Sequence, residues 1–317
     1  MSDVDWPGRV AVVGAGTMGA GIAHVFAARG VPTTLVDASP ELSEQARRRS
    51  VDLLARLEAD GSVEAGATAA AEHRLSAAPT IADAVAGADL VVEAVFERPD
   101  VKAAAYAEVE AAAASDAVIA TNTSSIPITD LAGTLRRPER FLGVHWFVPP
   151  LLVPCVEVVP TDTTAPAVVE KVIRALTALG KTAVAVGDGP GFVANRIQFA
   201  MFREAARIVE DGVATPEQVD EIVRSSFGFR LPFFGPFTIA DMAGLDVYAD
   251  IFDTLERGLG EGFAAPAVLR DHVARGEYGV KAGRGFFRLS PDEARELVDR
   301  RDRAYVALAR LRAEAGS

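Results

Sequence analysis

The sequence predicts a mixed architecture, with an N-terminal doubly wound α/β sheet followed by an all-α C-terminal domain. Short runs rich in β-branched residues alternate with helical patterns through about the first 186 of the 317 residues. This alternation is typical of a mostly parallel sheet covered by helices. A glycine-rich turn follows the first run, and from Gly187–Gly191 onward only helical patterns follow one another. We therefore expect one domain at residues 1–188 and a second, helical domain at 189–317.

The glycine-rich turn lies between a predicted strand at 9–13 and a predicted helix, and a second strand is expected at 33–36. In this βαβ context the pattern GxGxxG predicts a Rossmann-type dinucleotide site, with the pyrophosphate on free N–H groups at the helix start. The first glycine permits the tight turn, the second lets the backbone approach the pyrophosphate, and the third lets helix and strand pack closely. Asp37 would accept hydrogen bonds from the adenosine ribose, and its charge favours NAD over NADP. The predicted cofactor-binding residues here are Gly14, Gly16, Thr17, Met18, Gly19 and Asp37.

Polar side chains follow or lie within the later predicted strands, which we place at 89–97 (running into a loop), 117–120, 141–147, 156–159 and 182–186. Ser124, His145 and Glu157 are far enough apart in the chain that we expect separate strand ends, rather than a helix or a hairpin, to bring them together. A hydroxyl, an imidazole and a carboxylate arranged in this way form an acid/base site. The alternative is a core histidine, a surface carboxylate and a turn serine with no shared task.

Composition limits the possible partners. The chain has 44 acidic and 32 basic side chains and a formal charge of −12, which argues against nucleic acid or an anionic membrane as a partner. A single cysteine, Cys155, excludes an internal disulfide and a cysteine-based zinc motif, and no metal is expected. The acidic start and the lack of a long apolar run predict a cytoplasmic protein. The apolar helices after residue 188 exceed what a small domain would bury alone, which favours a homodimer.

Seven motifs together resemble one family. They are GAGTMGAGIA from Gly14, VVEAVFE from Val91, NTSS from Asn122, His145 followed by Glu157, PGFVANR from Pro190, GPF from Gly235 and GVKAGRGFF from Gly279. In this combination the chain resembles the 3-hydroxyacyl-CoA dehydrogenase family, which also includes L-gulonate 3-dehydrogenase (lambda-crystallin) and L-carnitine dehydrogenase. The resemblance covers nearly the whole chain and is specific for fold and hydride chemistry, and less so for substrate.

The resemblance implies roles for individual residues. The catalytic His–Glu pair of the family corresponds to His145 and Glu157, and its substrate-contacting serine and asparagine correspond to Ser124 and Asn195. Further cofactor-binding residues would be Glu97, Lys102 and Asn122. His145 would then remove the proton of a 3-hydroxyl while a hydride passes to NAD, with Glu157 orienting the ring. Residues 189–317 would form the substrate and dimerisation domain.

The chain departs from the family pattern at two places. Val148 stands where the family usually has an asparagine. Residues 41–74 contain no lysine, seven acidic residues and five arginines. This charge pattern is unfavourable for binding the phosphorylated nucleotide of CoA. Three hypotheses therefore stay open. The substrate is a 3-hydroxyacyl thioester, or it is a free 3-hydroxy acid of the gulonate or carnitine type, or the chain binds NAD without catalysis, as a crystallin would.

Overall fold

The computed structural model describes residues 6–314. Residues 1–5, which belong to the acidic start used above, and residues 315–317 lie outside the described part. The chain forms two compact units, one up to Met201 and one from Phe202 onward. A compact unit and an independently folding domain need not end at the same residue, so the domain limits 1–188 and 189–317 stay a prediction.

The first unit is built on one eight-stranded sheet in the order β3-β2-β1-β4-β5-β6-β7-β8. Neighbouring strands are parallel except β6 and β7, which pair antiparallel. The order reverses between β1 and β4, and in open α/β sheets ligands bind beyond the strand ends at such a switch point. The strands are β1 (Val10–Val13), β2 (Thr33–Val36), β3 (Leu75–Ala77), β4 (Leu90–Glu93), β5 (Val118–Thr121), β6 (Phe141–Trp146), β7 (Cys155–Val159) and β8 (Thr182–Ala185).

Helices cover both faces of this sheet, which explains why its central strands are apolar except near their carboxyl ends, where β4 and β5 end in Glu93 and Thr121. Along β1, Val10 and Val12 face a core shared with α1, α2, α3 and α7, whereas Ala11 and Val13 face a core shared with α4, α5 and α6. The doubly wound sheet predicted from the sequence is thus confirmed. The helices are α1 (Thr17–Ala28), α2 (Pro40–Ala59), α3 (Ala67–Arg74), α4 (Ile81–Val85), α5 (Pro99–Ala112), α6 (Ile128–Ala132), α7 (Pro166–Ala178) and α8 (Ala194–Glu210).

Two strand predictions need correction. The short edge strand β3 was not foreseen, because three residues are too few to show a pattern. The strand predicted at 156–159 was expected to bring Glu157 to His145 as a separate strand end rather than through a hairpin. Instead β7 returns beside β6 after the short connection 147–154, so that His145 and Glu157 are opposite each other in one antiparallel pair. The expectation that no hairpin could join them was wrong.

The second unit is helical and has a small core of its own, formed by Ala240, Leu245, Ala249 and Leu269. Its loop after residue 278 is held by the buried carboxylate of Asp241, which accepts the Phe286 and Phe287 N–H groups at 3.0 and 2.9 Å. The helices are α9 (Pro216–Ser225), α10 (Pro236–Ala243), α11 (Leu245–Leu259), α12 (Ala267–Ala274) and α13 (Pro291–Glu314).

Sequence signals set several helix starts. The Thr215 hydroxyl accepts the Gln218 N–H group while the Gln218 side chain accepts the Thr215 N–H group, so α9 begins with a capping box. Ser290 and Glu293 make the equivalent pair at the start of α13. Across residues 6–314, no helix is both long and apolar enough to cross a membrane.

Candidate active site

The glycine turn has the geometry that a dinucleotide site needs. Gly14 has φ +96°, and a Cβ there would lie 2.5 Å from the Ala94 carbonyl oxygen. A Cβ on Gly19 would lie 1.8 Å from the Gly14 oxygen and 3.3 Å from Val12, so only glycine lets α1 pack this closely on β1. Apart from its two chain neighbours, no atom of the described residues would lie within 4 Å of a Cβ on Gly16. Space therefore lies open in front of the Gly16 backbone, where the sequence predicted a bound pyrophosphate.

Beyond this turn lies a groove of about 720 Å³. It is lined by the glycine turn with Thr17 and Met18, by Asp37, and by the apolar residues Ile81 and Val101. The volume falls in the range usual for cofactor and ligand sites. The open space at Gly16, the helix start and the acidic residue after β2 are the features that bind NAD in a Rossmann-type site. The residues present therefore fit this cofactor.

Asp37 lies at the end of β2, half-buried at the edge of this groove. Its Oδ2 accepts the Ala15 N–H group at 2.6 Å, and its Oδ1 accepts the Ala38 N–H group at 2.7 Å. These two bonds fix the carboxylate beside the glycine turn. A carboxylate has further acceptor capacity on each oxygen, so the side chain can still accept from two ribose hydroxyls.

Glu97 organises the loop that follows β5. Its Oε1 accepts the Thr123 hydroxyl at 2.6 Å and the N–H groups of Ser124 and Ser125 at 2.8 and 3.1 Å. Burial raises the pKa of Glu97, but these hydrogen bonds and the charge of Lys102 outweigh burial and hold the pKa below its usual range. The carboxylate is therefore ionised near neutral pH and fixes the backbone of Ser124.

A second carboxylate, Glu93, lies under this loop at the end of β4 and is completely buried. It accepts Lys102 at 2.8 and 3.1 Å, and the hydroxyls of Tyr106 and Thr121 at 2.7 Å each. Burial is the main reason why the pKa of Tyr106 is raised, so this hydroxyl stays a neutral donor. Sequence reasoning missed Glu93, although it stands in the VVEAVFE motif four residues before Glu97.

Lys102 differs from what the sequence suggested. Its side chain has no exposed surface, and its ammonium lies between Glu93 and Glu97, 3.4 Å from Glu97 Oε2. The ammonium therefore has no open path to a ligand in the groove. In this arrangement Lys102 can act on a bound dinucleotide only through Glu97, whose side chain is 38% exposed.

His145 and Glu157 form a buried pair. The Nδ1 atom of His145 lies 2.8 Å from Oε2 of Glu157, and each side chain is only 4% exposed. Because an ionised carboxylate can only accept, Nδ1 carries the proton and donates it. Among residues 6–314, no group is hydrogen-bonded to Nε2, so this nitrogen is left as a basic atom that can take a proton from a ligand.

The other oxygen of Glu157 is held by the start of α8. Oε1 accepts the N–H groups of Val193 and Ala194 at 3.1 and 2.9 Å. A helix N-terminus stabilises a carboxylate through its free N–H groups and its dipole. Both oxygens of Glu157 therefore have a defined partner, which fixes the direction of the His145 ring. No sequence pattern indicates these backbone donors.

Ser124 and Asn195 also meet. The Asn195 amide donates to the Ser124 carbonyl at 3.2 Å, so the loop after β5 and the start of α8 are joined next to the His–Glu pair. Asn122 lies at the start of this loop and accepts the Trp146 N–H group at 3.0 Å, one residue after His145. The structure therefore brings Asn122, Ser124, His145, Glu157 and Asn195 into one connected region.

Val148 follows the histidine strand with its side chain 65% exposed. An apolar side chain at this position offers no hydrogen bond to a ligand. The polar contact that the family pattern would place here is thus absent at residue 148.

Comparison with known proteins agrees with these features. Residues 9–189 match the NAD binding domain of 3-hydroxyacyl-CoA dehydrogenase, and residues 191–289 match its C-terminal domain. The 5-formyl-3-hydroxy-2-methylpyridine 4-carboxylate 5-dehydrogenase of Mesorhizobium japonicum is 34% identical over 304 residues, which is 96% of this chain and 97% of that protein. A probable 3-hydroxybutyryl-CoA dehydrogenase of Bacillus subtilis is 36% identical over 280 residues, 88% of this chain and 96% of that protein.

Among solved structures, the 3-hydroxyacyl-CoA dehydrogenase of Archaeoglobus fulgidus is similar over 96% of this chain and 99% of its own length. The sequence identity is 32% and the TM-score is 0.80. These similarities extend over both units of the chain, so they concern the whole described architecture and not the glycine motif alone.

Proposed function

Because the chain belongs to the 3-hydroxyacyl-CoA dehydrogenase family of NAD-dependent oxidoreductases, we propose that it interconverts a 3-hydroxyacyl thioester and its 3-oxo form with His145 as the base. The observation that carries this proposal is the buried His145–Glu157 pair, in which Nδ1 is 2.8 Å from the carboxylate and Nε2 has no hydrogen-bond partner within the described residues 6–314. A positioned imidazole of this kind contributes about 10²–10⁴-fold to a proton transfer.

In the oxidation direction, Nε2 of His145 removes the proton of the 3-hydroxyl group. The bound NAD supplies the acceptor for the hydride that leaves C3. Glu157 stabilises the imidazolium that forms, since its Oε2 lies on the far side of the ring. The products are the 3-oxo compound, NADH and one proton, which His145 releases to solvent. In the reduction direction, the same protonated ring returns the proton to the alkoxide oxygen.

Ser124 and Asn195 are proposed to bind the reacting oxygen or the neighbouring carbonyl. Their contact at 3.2 Å places a hydroxyl-bearing residue and an amide side by side. Donors aimed at an oxygen that gains negative charge stabilise the transition state. Glu97 supports this arrangement because it holds the Ser124 N–H group.

For the cofactor, we propose contacts from the glycine turn with Thr17 and Met18, and from Asp37, Glu97 and Asn122. Thr17, Met18 and Asp37 line the groove. Asn122 directly follows β5, and Glu97 lies four residues after the end of β4. Lys102 would contribute indirectly, by fixing Glu97.

A thioester substrate is favoured by the Bacillus subtilis and Archaeoglobus fulgidus relatives, whose names describe 3-hydroxyacyl-CoA dehydrogenases. A free 3-hydroxy acid is the second candidate, and the charges on α2 and α3 favour it. Arg47 and Arg48 pair with Glu44 at 2.8 and 3.0 Å and lower the pKa of this carboxyl to about 2. Arg49 and Arg74 donate to backbone carbonyls. Four of the five arginines in 41–74 are thus engaged within the protein.

The relative from Mesorhizobium japonicum, whose name describes a pyridine carboxylate rather than a thioester, supports the second candidate as well. The two are separated by measuring NADH formation with 3-hydroxybutyryl-CoA, L-gulonate and L-carnitine under the same conditions. We expect the highest kcat/KM with the thioester. A preference of tenfold or more for a free acid would reject the thioester and establish the second candidate. NADH binding without oxidation of any 3-hydroxy compound would reject both.

We also propose a homodimer. α8 and α9 have no buried residue, and α8 exposes Ile197, Phe199 and Phe202 by 56%, 64% and 67%. Apolar faces of this size on a helix mark an interface. The mass measured by light scattering after size exclusion should be that of two chains. Replacing Phe199 and Phe202 by glutamate should give the mass of one chain, and a monomeric wild-type protein would reject the dimer.

A further inference from the structure

Phe192 has an unusual backbone conformation next to the His145–Glu157 pair. Its φ angle is +46°, and it is the one non-glycine residue with positive φ among residues 6–314. A bulky side chain in this region is strained, whereas glycine adopts it freely. Gly191, directly before it, also has positive φ at +73°. Such strain persists only where the surrounding contacts offset it, and it is found most often at functional sites.

The contacts of Phe192 lead to both members of the pair. The residue is 6% exposed, and the centroid of its ring lies 5.5 Å from that of the His145 ring at an interplanar angle of 57°. The next two residues, Val193 and Ala194, direct their N–H groups to Glu157 Oε1. One strained turn thus supplies a ring to the imidazole and two donors to the carboxylate.

The ring contact adds a restraint that the hydrogen bond lacks. The bond from Nδ1 to Glu157 fixes one direction in the plane of the imidazole but leaves the ring free to tilt about it. Phe147, at 4.6 Å between centroids, and Phe192 both pack on the imidazole and restrict this tilt. Because Nε2 lies on the opposite side of the ring from the bond, a small tilt displaces it from the substrate hydroxyl.

We propose that Phe192 is a positioning residue for the base, in that its positive-φ turn fixes the imidazole of His145 and the carboxylate of Glu157 together. This inference rests on the proposed function, since it requires His145 to be the base. Because Phe192 is buried, it acts through His145 and Glu157 rather than on the substrate directly. Its loss should therefore lower kcat while the KM for substrate and the Kd for NADH stay close to their wild-type values.

Two variants test this in the full chain. Phe192→Gly keeps the backbone free to adopt the turn and removes the ring, and Phe192→Leu keeps apolar bulk without the flat face. We expect both to lower kcat about 10- to 100-fold, the size of effect that a small misplacement of a catalytic group produces. The KM for substrate and the Kd for NADH should change less than about twofold. If Phe192→Gly does not fold, Phe192→Leu decides.

A matched control is Phe141→Leu. Phe141 is completely buried in the same core as Phe192, but its ring packs on Tyr106 and not on His145. It should lose thermal stability to a similar degree and keep the wild-type kcat. A second readout is the proton resonance of the His145 Nδ1–H group, which should exchange faster with water in Phe192→Leu than in Phe141→Leu.

The outcomes separate the inference from the function on which it rests. A wild-type kcat in Phe192→Leu, or an equal loss of kcat in Phe192→Leu and Phe141→Leu, overturns the role of Phe192. His145→Gln is assayed in parallel. If His145→Gln retains turnover, the proposed base itself is wrong. If His145→Gln is inactive while Phe192→Leu is fully active, His145 is supported as the base and only the positioning role of Phe192 is rejected.

Discussion

His145 lies directly opposite Glu157 across the antiparallel pair of β6 and β7, and its Nδ1 is 2.8 Å from Glu157 Oε2. The two oxygens of the carboxylate have different partners, because Oε1 accepts the backbone N–H groups of Val193 and Ala194. The carboxylate therefore joins a strand and a helix start to one imidazole. The first prediction follows from this difference between the partners of the two carboxylate oxygens.

In Glu157→Gln, we expect the amide oxygen to keep the two backbone N–H groups, which leaves the amide N–H₂ facing Nδ1. Nδ1 would then have to accept a hydrogen bond, so the proton would move to Nε2 and the ring could no longer act as a base. A wrong tautomer of this kind can lower kcat by up to about 10⁴-fold. Steady-state kinetics should show this loss, and fluorescence titration should show an unchanged Kd for NADH. Retention of kcat within a few-fold would contradict the role of Glu157.

Asp37→Asn should change the choice between NAD and NADP. The asparagine keeps an oxygen for the Ala15 N–H group, which Asp37 accepts at 2.6 Å, and it removes the negative charge that would repel a 2′-phosphate. The ratio of kcat/KM for NAD to that for NADP should fall at least about tenfold, or about 1.4 kcal/mol. The exposed Asp52 on α2 supplies the control, since Asp52→Asn should leave the ratio unchanged. An unaltered ratio in Asp37→Asn would show that another group selects the cofactor.

Lys102→Met should destabilise the fold strongly, because it leaves the buried Glu93 carboxylate without its cation. Breaking a buried ion pair from one side costs about 3–5 kcal/mol. Adding Glu93→Gln should recover most of this loss, since no charge then stays buried without a partner. The free energies of unfolding in urea give the comparison. A loss below about 1 kcal/mol in Lys102→Met, or no recovery in the double variant, would show that Glu93 does not depend on Lys102.

His24 should make the protein sensitive to mild acid. It is 1% exposed, and burial, only partly offset by a backbone hydrogen bond, lowers its pKa from the value of 6.5. The unfolded chain then binds more protons than the folded chain below about pH 6.5. The stability contribution is thus present above pH 6.5 and is lost as the pH falls towards the lower folded pKa.

The test for His24 is the melting temperature between pH 7.5 and 5.5. His24→Leu should flatten the decrease seen in the wild-type protein over this range. The exposed His73 serves as control, and His73→Gln should keep the wild-type profile. An identical slope in wild type and His24→Leu would assign the acid sensitivity to other groups.

Much of the first unit could be predicted from sequence because local chemistry determines it. Gly14 is required by a positive φ and Gly19 by close packing on β1. Both requirements are visible in the sequence as glycines at fixed spacing. Strands buried on two faces read as continuous apolar runs. β3, by contrast, is a three-residue edge strand, which is too short to show a recognisable strand pattern.

The arrangement of the site was less predictable. A short strand pattern such as 156–159 does not indicate the direction of the strand, so the sequence could not show that β7 runs antiparallel to β6 and pairs Glu157 with His145. Lys102 has two carboxylates, Glu93 and Glu97, within nine residues before it. Only the packed structure shows that Glu93 holds it in the interior. The backbone donors of 193–194 and the strained Phe192 depend on tertiary contacts, which no local pattern records.

The measurement that tests the central claim most directly compares turnover and NADH binding in His145→Ala. Removal of a positioned general base should lower kcat about 10²–10⁴-fold, while the Kd for NADH should stay within about twofold, because the groove at the glycine turn does not include residue 145. A kcat within about threefold of wild type, with NADH bound normally, would show that His145 is not the base.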